Sequence, residues 1–238
     1  MKRVSAQARI ELALTLRRGE SLLVSLIIPV GILVFFSFVD VLPHEGRAVD
    51  FLTPGVLALS VISSAMTNLS IATGFERHAG VLRRLGITPL GRSGLFLAKT
   101  ISLLVIVALQ AGVVIGAALA LGWSPQASAS SAIVALVLGT AAFGGLGFLL
   151  AGRLRAETNL AVANALFLLF LLLGGIVVPL SRLPAGVADI ARALPAEPLA
   201  TAVRAALTQA AWDTGSLATL GVWAAITCLV AALTFRWD

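Results

Sequence analysis

Residues 94–121 read GLFLAKTISLLVIVALQAGVVIGAALAL, and Lys99 is the single charged residue among them. An α-helix needs about 20 apolar residues to cross the hydrocarbon core of a bilayer, so this stretch predicts a membrane-spanning helix. The whole chain has the same character, since 59% of its 238 residues are hydrophobic and 12% are charged. Soluble domains contain about 25% charged residues. The composition therefore predicts an all-α integral membrane protein.

Outward from this stretch, five further segments are long and apolar enough to span a bilayer. The six predicted spans are approximately 21–40, 52–74, 94–121, 131–152, 158–178 and 216–235. The first is not expected to be a cleaved signal sequence, because its apolar run is too long and no small-residue cleavage pattern accompanies it. We expect residues 21–238 to form one six-helix transmembrane domain.

Basic residues are distributed unequally between the segments that connect the spans. Thirteen of the 17 lie in the N-terminal segment, the 75–94 loop with adjoining Lys99, the 153–157 loop and the C-terminus. The other four lie in segments 41–51, 122–130 and 179–215. Because Lys and Arg resist translocation across the membrane, we expect the basic-rich segments and both termini to be cytoplasmic.

Residues 1–20 have the pattern of an amphipathic helix rather than of a span. One side is apolar and consists of Ala6, Ile10, Ala13 and Leu14, whereas the opposite side contains Gln7, Glu11 and Arg18. A basic amphipathic helix of this kind is suited to the cytoplasmic membrane interface, in contact with lipids. A simple positively charged anchor is the alternative, and the two interpretations are compatible.

The segment 179–215 is too polar to cross the bilayer and too apolar for a free loop. Four prolines interrupt it, namely Pro179, Pro184, Pro195 and Pro198. Because proline ends or kinks helices, we expect a re-entrant helical hairpin that dips into the outer leaflet between the fifth and sixth spans. A surface amphipathic loop is the alternative.

Several kinds of chemistry lack the residues that they need. The sequence has no phosphate-binding G-x-x-x-x-G-K-[ST] motif, so ATP hydrolysis by the chain itself is not expected. Its two histidines, His44 and His78, fall on opposite sides of the predicted membrane, which argues against a catalytic or metal site. We therefore expect no catalytic residue, metal or cofactor on this chain. Nucleic-acid binding is not expected either, since the basic residues already serve to orient the spans.

Neutral polar groups within the predicted spans are candidates for a substrate path. The four that stand out are Asn68, Gln110, Asn159 and Asn164. Hydrogen bonding between helices is their ordinary role, and contact with a substrate is the alternative. The sequence GTAAFGGLG, residues 139–147, has the small side chains that let another helix approach closely.

The loop 75–94 concentrates charge in an apolar chain. Glu76 is expected to end the second span, and Thr88–Pro89 with Gly91 to break the chain before the third. Between them, residues 76–87 are predicted to form a short helix. Its apolar edge would be Val81, Leu82 and Leu85, and its flanking arginines would be Arg77, Arg83 and Arg84. Membrane orientation needs the arginines but not a helix followed by a break.

This loop resembles the connection between spans two and three in the membrane subunits of type-2 ABC exporters, especially the daunorubicin-resistance-like permeases. The shared positions are Glu76, Arg77, Gly80, Leu82, Leu85, Thr88 and Pro89. His78 stands where an acidic residue is common, and Val81 where threonine is common. Further similarity follows the fifth span, at Gly174–Gly175, Pro179–Ser181, Leu183–Pro184, Leu194–Pro195 and Arg204.

The resemblance implies one subunit of an ATP-driven exporter in the bacterial plasma membrane, moving a drug or lipid by alternating access, as in multidrug and antibiotic resistance. A second permease, identical or different, and two cytoplasmic ATPase subunits that carry ATP and Mg²⁺ would be its partners. The loop helix would be a coupling helix seated in the ATPase. Its residues would be Glu76, Arg77, Gly80, Leu82, Arg83, Arg84, Leu85, Thr88 and Pro89. Glu76 would cap that helix or pair with an arginine of the interfacial helix.

Three other functions stay open at this point. A permease of the same superfamily could carry a polysaccharide or haem, which a transport assay would reveal. An intramembrane enzyme would need a catalytic set that the two histidines do not provide. A passive channel would conduct without an ATPase partner.

The predicted topology is testable with single cysteines. Cysteines introduced at Ser128 and Ala185 are expected to react with membrane-impermeant thiol reagents added to intact cells, because both segments are poor in basic residues. A cysteine at Gly91 is expected to stay unlabelled. External labelling at Gly91 would contradict the six-span arrangement.

Overall fold

The computed structural model describes residues 2–17, 19–39, 47–88, 90–126, 128–176 and 180–236, and within them the chain is helical apart from turns and connections. The α-helices are α1 (Lys2–Arg17), α2 (Gly19–Phe38), α3 (Ala48–Val61), α4 (Leu69–His78), α5 (Val81–Gly86), α6 (Gly91–Ala120), α7 (Ala129–Arg153), α8 (Ala156–Leu173), α9 (Ala185–Ala193), α10 (Ala196–Thr208) and α11 (Thr214–Thr234). The all-α prediction is confirmed. Arg18, His44, Pro89 and Pro179 lie outside the described residues.

Five helical stretches in the described part of the chain are long and apolar enough to cross a membrane. They are Ala48–His78, Ser93–Ala120, Ala129–Arg153, Ala156–Leu173 and Thr214–Thr234. They match the second to sixth predicted spans. The first predicted span falls on α2, whose described apolar part is Leu26–Phe38, so its crossing of the membrane stays a prediction.

The second predicted span, 52–74, is longer than the sequence suggested. A π-helical segment, Ile62–Asn68, joins α3 to α4, so that helical backbone runs without a break from Ala48 to His78. A π-turn widens the helix locally and exposes backbone that a neighbouring helix must accommodate. Gly147 of α7 does so here, because a Cβ at that position would lie 2.6 Å from the Ala65 carbonyl oxygen.

The small residues of 139–147 let α10, α11 and the π-helical segment approach α7 closely, as the sequence predicted. A Cβ on Gly139 would lie 2.5 Å from Leu199 of α10, and one on Gly145 would lie 2.3 Å from the Thr227 hydroxyl of α11. Thr227 Oγ1 also donates a hydrogen bond of 3.0 Å to the Ala142 carbonyl. α7 is therefore the helix against which α4, α10, α11 and the π-helical segment pack.

The segment after α8 forms two helices separated by a break, as the prolines predicted. Pro184 precedes α9, and Pro195 separates α9 from α10. α10 buries most of its length against α3, α7 and α11. Arg204 of α10 donates to the Gly175 carbonyl at 3.0 Å, and its guanidinium lies 4.7 Å from the centre of the Phe51 ring. A helix buried in this way is packed like a core element, and its re-entrant position in the membrane stays a prediction.

The connecting segments gather at two opposite ends of the bundle. At one end, the Arg77 guanidinium donates to the Gly152 carbonyl at 2.6 Å, and the Phe96 and Phe235 rings are 5.1 Å apart. At the other end, Arg47 Nη2 donates to the Gly122 carbonyl at 2.6 Å, and Ser128 N donates to the Ala206 carbonyl at 2.8 Å. Lys99 Nζ lies 2.9 Å from Glu11 Oε2 of the N-terminal helix at the same end. The four basic-rich segments thus share the first end, which we call the basic end.

Close packing at α7 leads to a stability prediction. Gly147→Ala is expected to lower the free energy of unfolding by about 1–3 kcal/mol, because its Cβ would overlap backbone atoms that cannot rotate away. The measurement is thermal unfolding in detergent, followed by tryptophan fluorescence. Gly112→Ala in α6 is the matched control, since its added Cβ would meet no described residue within 4 Å apart from its chain neighbours and the adjoining backbone of its own helix. Equal melting temperatures for the two variants would contradict this packing.

Candidate functional site

The charged loop is built differently from the predicted 76–87 helix. Glu76 and Arg77 belong to the last turn of α4, which ends at His78. Gly80 then adopts a left-handed conformation with φ of 71°, which ends the helix because glycine alone adopts it without a steric penalty. The short helix is therefore α5, Val81–Gly86. Pro89 lies outside the described residues, and Thr88 Oγ1 donates to the Leu85 carbonyl at the end of α5.

Leu82 fastens α5 to the rest of the protein. Its side chain is 1% exposed, and it lines a small cavity together with Leu95, Phe96, Phe148 and Phe235. The three phenylalanines form edge-to-face pairs, with centroids 4.5 Å apart for Phe96 and Phe148. Leu82 was predicted to belong to the apolar edge that seats in the ATPase, but it is buried within its own chain, because a short helix is stabilised mainly by burying a side chain.

The outward face of α5 carries a different set of side chains. Val81 is 38% exposed and Ile87, just after the helix, is 86% exposed. Arg83 and Arg84 are exposed, and Leu85 is half-buried. The basic end thus exposes two apolar side chains, Val81 and Ile87, together with two arginines.

Glu76 of α4 joins a buried ionic cluster. Lys99 Nζ of α6 lies 2.6 Å from Glu76 Oε2 and 2.9 Å from Glu11 Oε2 of α1. The side chains of Lys99, Glu11 and Glu76 are 5%, 10% and 14% exposed. The expectation that Glu76 caps the loop helix is wrong, because Gly80 is the residue at that position. Lys99 connects Glu76 to the interfacial helix, and the pairing of Glu76 with an arginine of that helix stays a prediction.

The interfacial helix is turned opposite to the simplest expectation. Its polar residue Glu11 faces α6, and Gln7 Nε2 donates to the second Glu11 oxygen at 2.9 Å. Its predicted apolar side, with Ala6, Ile10, Ala13 and Leu14, is exposed. Leaving this side uncovered by protein is compatible with a helix that rests on lipid.

Arg77 joins the end of α4 to the α7–α8 connection. Its guanidinium donates hydrogen bonds of 2.6 Å to the carbonyls of Gly152 and Leu154. These carbonyls are at the C-terminus of α7, where a cation also interacts favourably with the helix dipole. Arg77 therefore connects the C-terminal end of the second span to the fourth and fifth spans. The prediction that it flanks α5 is wrong.

The four amides predicted within the spans divide into two pairs. Gln110 accepts a hydrogen bond of 2.6 Å from Ser64 of the π-helical segment. Asn159 Nδ2 donates to the Ser70 carbonyl at 2.7 Å. These two are buried and connect helices. Asn68 is half-buried and Asn164 is exposed, and both line a groove of about 730 Å³ between α4 and α8 that reaches Val81.

The described residues include no group of three His, Cys, Asp or Glu side chains placed to hold a metal ion. Comparison with protein families finds that the ABC-2 type transporter model matches residues 3–208. The match covers the amphipathic helix and most of the helical bundle. The chain belongs to the ABC-2 type transporter family. It is a multi-pass membrane permease of an ABC transporter, and permeases of this family normally work with an ATPase partner. No curated protein matches the chain.

Two residues of the basic end, Lys99 and Ile87, were not among the predicted site residues. Lys99 lies inside a predicted span, and an ionisable side chain there must find a partner. Its position therefore indicates a carboxylate partner from a neighbouring helix. Ile87 precedes the Thr88–Pro89 break, where a large apolar side chain has no helix to pack against. Periodicity could not reveal it, because it lies outside α5.

The buried position of Leu82 leads to a prediction about proteolysis of α5. Leu82→Ala is expected to free α5, since removing a buried leucine costs about 2–5 kcal/mol. Trypsin cleavage after Arg83 or Arg84 in detergent-solubilised protein should then be at least tenfold faster. Val81→Ala is the control, because Val81 is partly exposed, and it should leave the rate near that of the unaltered protein. Unchanged cleavage in Leu82→Ala would show that Leu82 does not anchor the helix.

Proposed function

We propose that this permease is the transmembrane subunit of an exporter that moves a hydrophobic or amphipathic substrate, a drug or a lipid, out of a bacterial cell. ATP and Mg²⁺ would bind to two copies of a separate cytoplasmic ATPase. A second permease, identical or different, would complete the complex in the inner membrane, with both termini in the cytoplasm. The observation that carries the proposal is the anchored helix α5 at the basic end.

The outward face of α5 has the features of a docking surface for the ATPase. Ile87 would provide a buried anchor, and Arg83 and Arg84 would steer the approach of an acidic groove. Because Leu82 holds α5 from the inside, a push on the outward face would move the helices beneath it. The predicted coupling residues thus have separate roles: Leu82 anchors, whereas Arg83, Arg84 and Leu85 lie at or near the contact.

The groove between α4 and α8 supports an amphipathic substrate. It combines the amides of Asn68 and Asn164 with apolar residues such as Ile71 and Leu160, which suits a molecule with a few polar groups. Its other end is at Val81, so the coupling helix and the proposed substrate path share one side of the second span. Movement of α5 would thereby change the width of the groove, as alternating access requires.

The docking role of α5 predicts a separation between folding and assembly. Ile87→Asp should weaken ATPase binding by at least tenfold, because an unpaired carboxylate would be buried at the contact. The permease should still reach the membrane in normal amount, since Ile87 is 86% exposed. The first measurements are the amount of permease in the membrane and the amount of ATPase that co-purifies with it in mild detergent. Transport is then measured as ATP-dependent accumulation of an NBD-labelled phospholipid or a lipophilic dye in inverted vesicles.

A matched control uses the same substitution at the opposite end of the bundle. Ile190 of α9 is 60% exposed, and Ile190→Asp should leave ATPase binding unchanged. If Ile87→Asp retained full ATPase binding and full transport, α5 would be no more than a positively charged membrane anchor. If the unaltered permease co-purified with no ATPase, the proposed function itself would be wrong.

A further inference from the structure

Lys99 connects three helices that are far apart in the sequence. It lies about two turns inside α6, and its ammonium contacts Glu11 of α1 at 2.9 Å and Glu76 of α4 at 2.6 Å. Both Glu11 oxygens are engaged, because Gln7 donates to the second one. The interfacial helix, the end of the second span and the start of the third therefore meet at one buried cation.

We propose that Lys99 is a positioning residue for transport, which sets the register of the interfacial helix on α6 and makes α1, α4 and α6 move as one unit when α5 is pushed. The inference rests on the function proposed above. It adds a residue outside the loop to the coupling machinery and gives the interfacial helix a part in transmission.

Stability alone does not account for such a cluster. The desolvation cost of a buried ion pair offsets much of its attraction, and apolar side chains of the same volume often stabilise a protein equally well. An ion pair differs from apolar packing because it opposes sliding of one helix along the other. If α1 moved along α6 by one helical turn, about 5.4 Å, the Glu11–Lys99 contact would be lost, whereas apolar contacts would re-form with new neighbours.

The surroundings of Lys99 make this constraint necessary. A cavity of about 80 Å³ adjoins the cluster, and its lining includes Thr15 of α1, Thr73 of α4 and Ser102 of α6. Thr73 is 1% exposed, and its hydroxyl has no hydrogen-bond partner among the described residues. Packing between the three helices is therefore incomplete at this level. Beside such a cavity, side-chain packing defines the helix positions poorly, and the ionic contacts define them well.

Lys99 is also close to the anchor of α5. It lines the small cavity under Leu82 together with Phe96 and Phe148. A displacement of α5 would reach the ammonium through these contacts and pass to α1 through Glu11. Arg77 provides the corresponding connection to α7 and α8, so the two cations would divide the displacement between the two halves of the bundle.

The test uses the full complex of permease and ATPase in proteoliposomes, with a disulfide as reporter. A Cβ at residue 94 would lie 3.7 Å from Cγ2 of Val4, so Val4→Cys with Gly94→Cys, in a Cys228→Ser background, should cross-link α1 to α6. In the complex with Lys99→Met added, the cross-link yield during ATP hydrolysis should fall at least threefold. Transport of NBD-labelled phospholipid per ATP hydrolysed should fall at least tenfold, with hydrolysis within about twofold of the original rate.

Two further variants separate positioning from general loss of structure. Lys99→Arg keeps the cation and should retain the cross-link and most transport. Forming the disulfide before adding ATP should restore transport to Lys99→Met, and reduction should abolish it again. Arg192→Met removes an exposed pair with Asp189 at the other end and should change neither quantity.

The outcomes decide the proposal whether or not Lys99→Met folds. If that variant is absent from the membrane, Glu11→Gln gives the same comparison, because Lys99 then keeps its contact with Glu76, and a drop of about threefold in cross-link yield is expected. An unchanged cross-link and unchanged transport per ATP in either variant would overturn the proposal. An unaltered permease that supports no ATP hydrolysis would instead refute the function on which it rests.

Discussion

The ammonium of Lys99 must be neutralised, and much of the basic end follows from that requirement. A cation two turns inside an apolar helix cannot reach bulk water without leaving its neighbours, so carboxylates have to come to it. Glu11 and Glu76 do so from α1 and α4. This need turns Glu11 of the interfacial helix toward the bundle, and the apolar side of that helix is left exposed. It also fixes the end of the second span beside the start of the third.

The second span is one continuous helical stretch that supports the bundle along its length. From Ala48 to His78 it passes from one end of the bundle to the other, and 72% of its most apolar part is buried inside the chain. Its π-helical segment is accommodated by Gly147, and Ser64 is held by Gln110. A helix supported along its length transmits a displacement better than one that can bend freely. Helix α5 begins after only two further residues, Ala79 and Gly80.

The short helix α5 has a buried and an exposed side that a single amphipathic pattern cannot distinguish. Leu82 points inward to the phenylalanines, while Val81 and the two arginines point outward. In a six-residue helix each side chain occupies a different direction, so periodicity offers too few repeats to tell the buried side from the exposed one. The family resemblance identified the loop as a unit, and the packing of Leu82 assigns its inner and outer faces.

The sequence by itself determined the class of protein, the spans from 52 onward, the helix–break–helix after α8 and the close packing at 139–147. These depend on local quantities: apolar length, proline positions and side-chain size. It also located the charged loop that marks the family. Only the tertiary structure decided that Glu76 and Glu11 share Lys99, that Arg77 binds carbonyls of the α7–α8 connection, and that Leu82 is buried. These contacts join residues up to 88 positions apart, and which partner a charged or apolar side chain takes depends on how the helices cross, which no local pattern encodes.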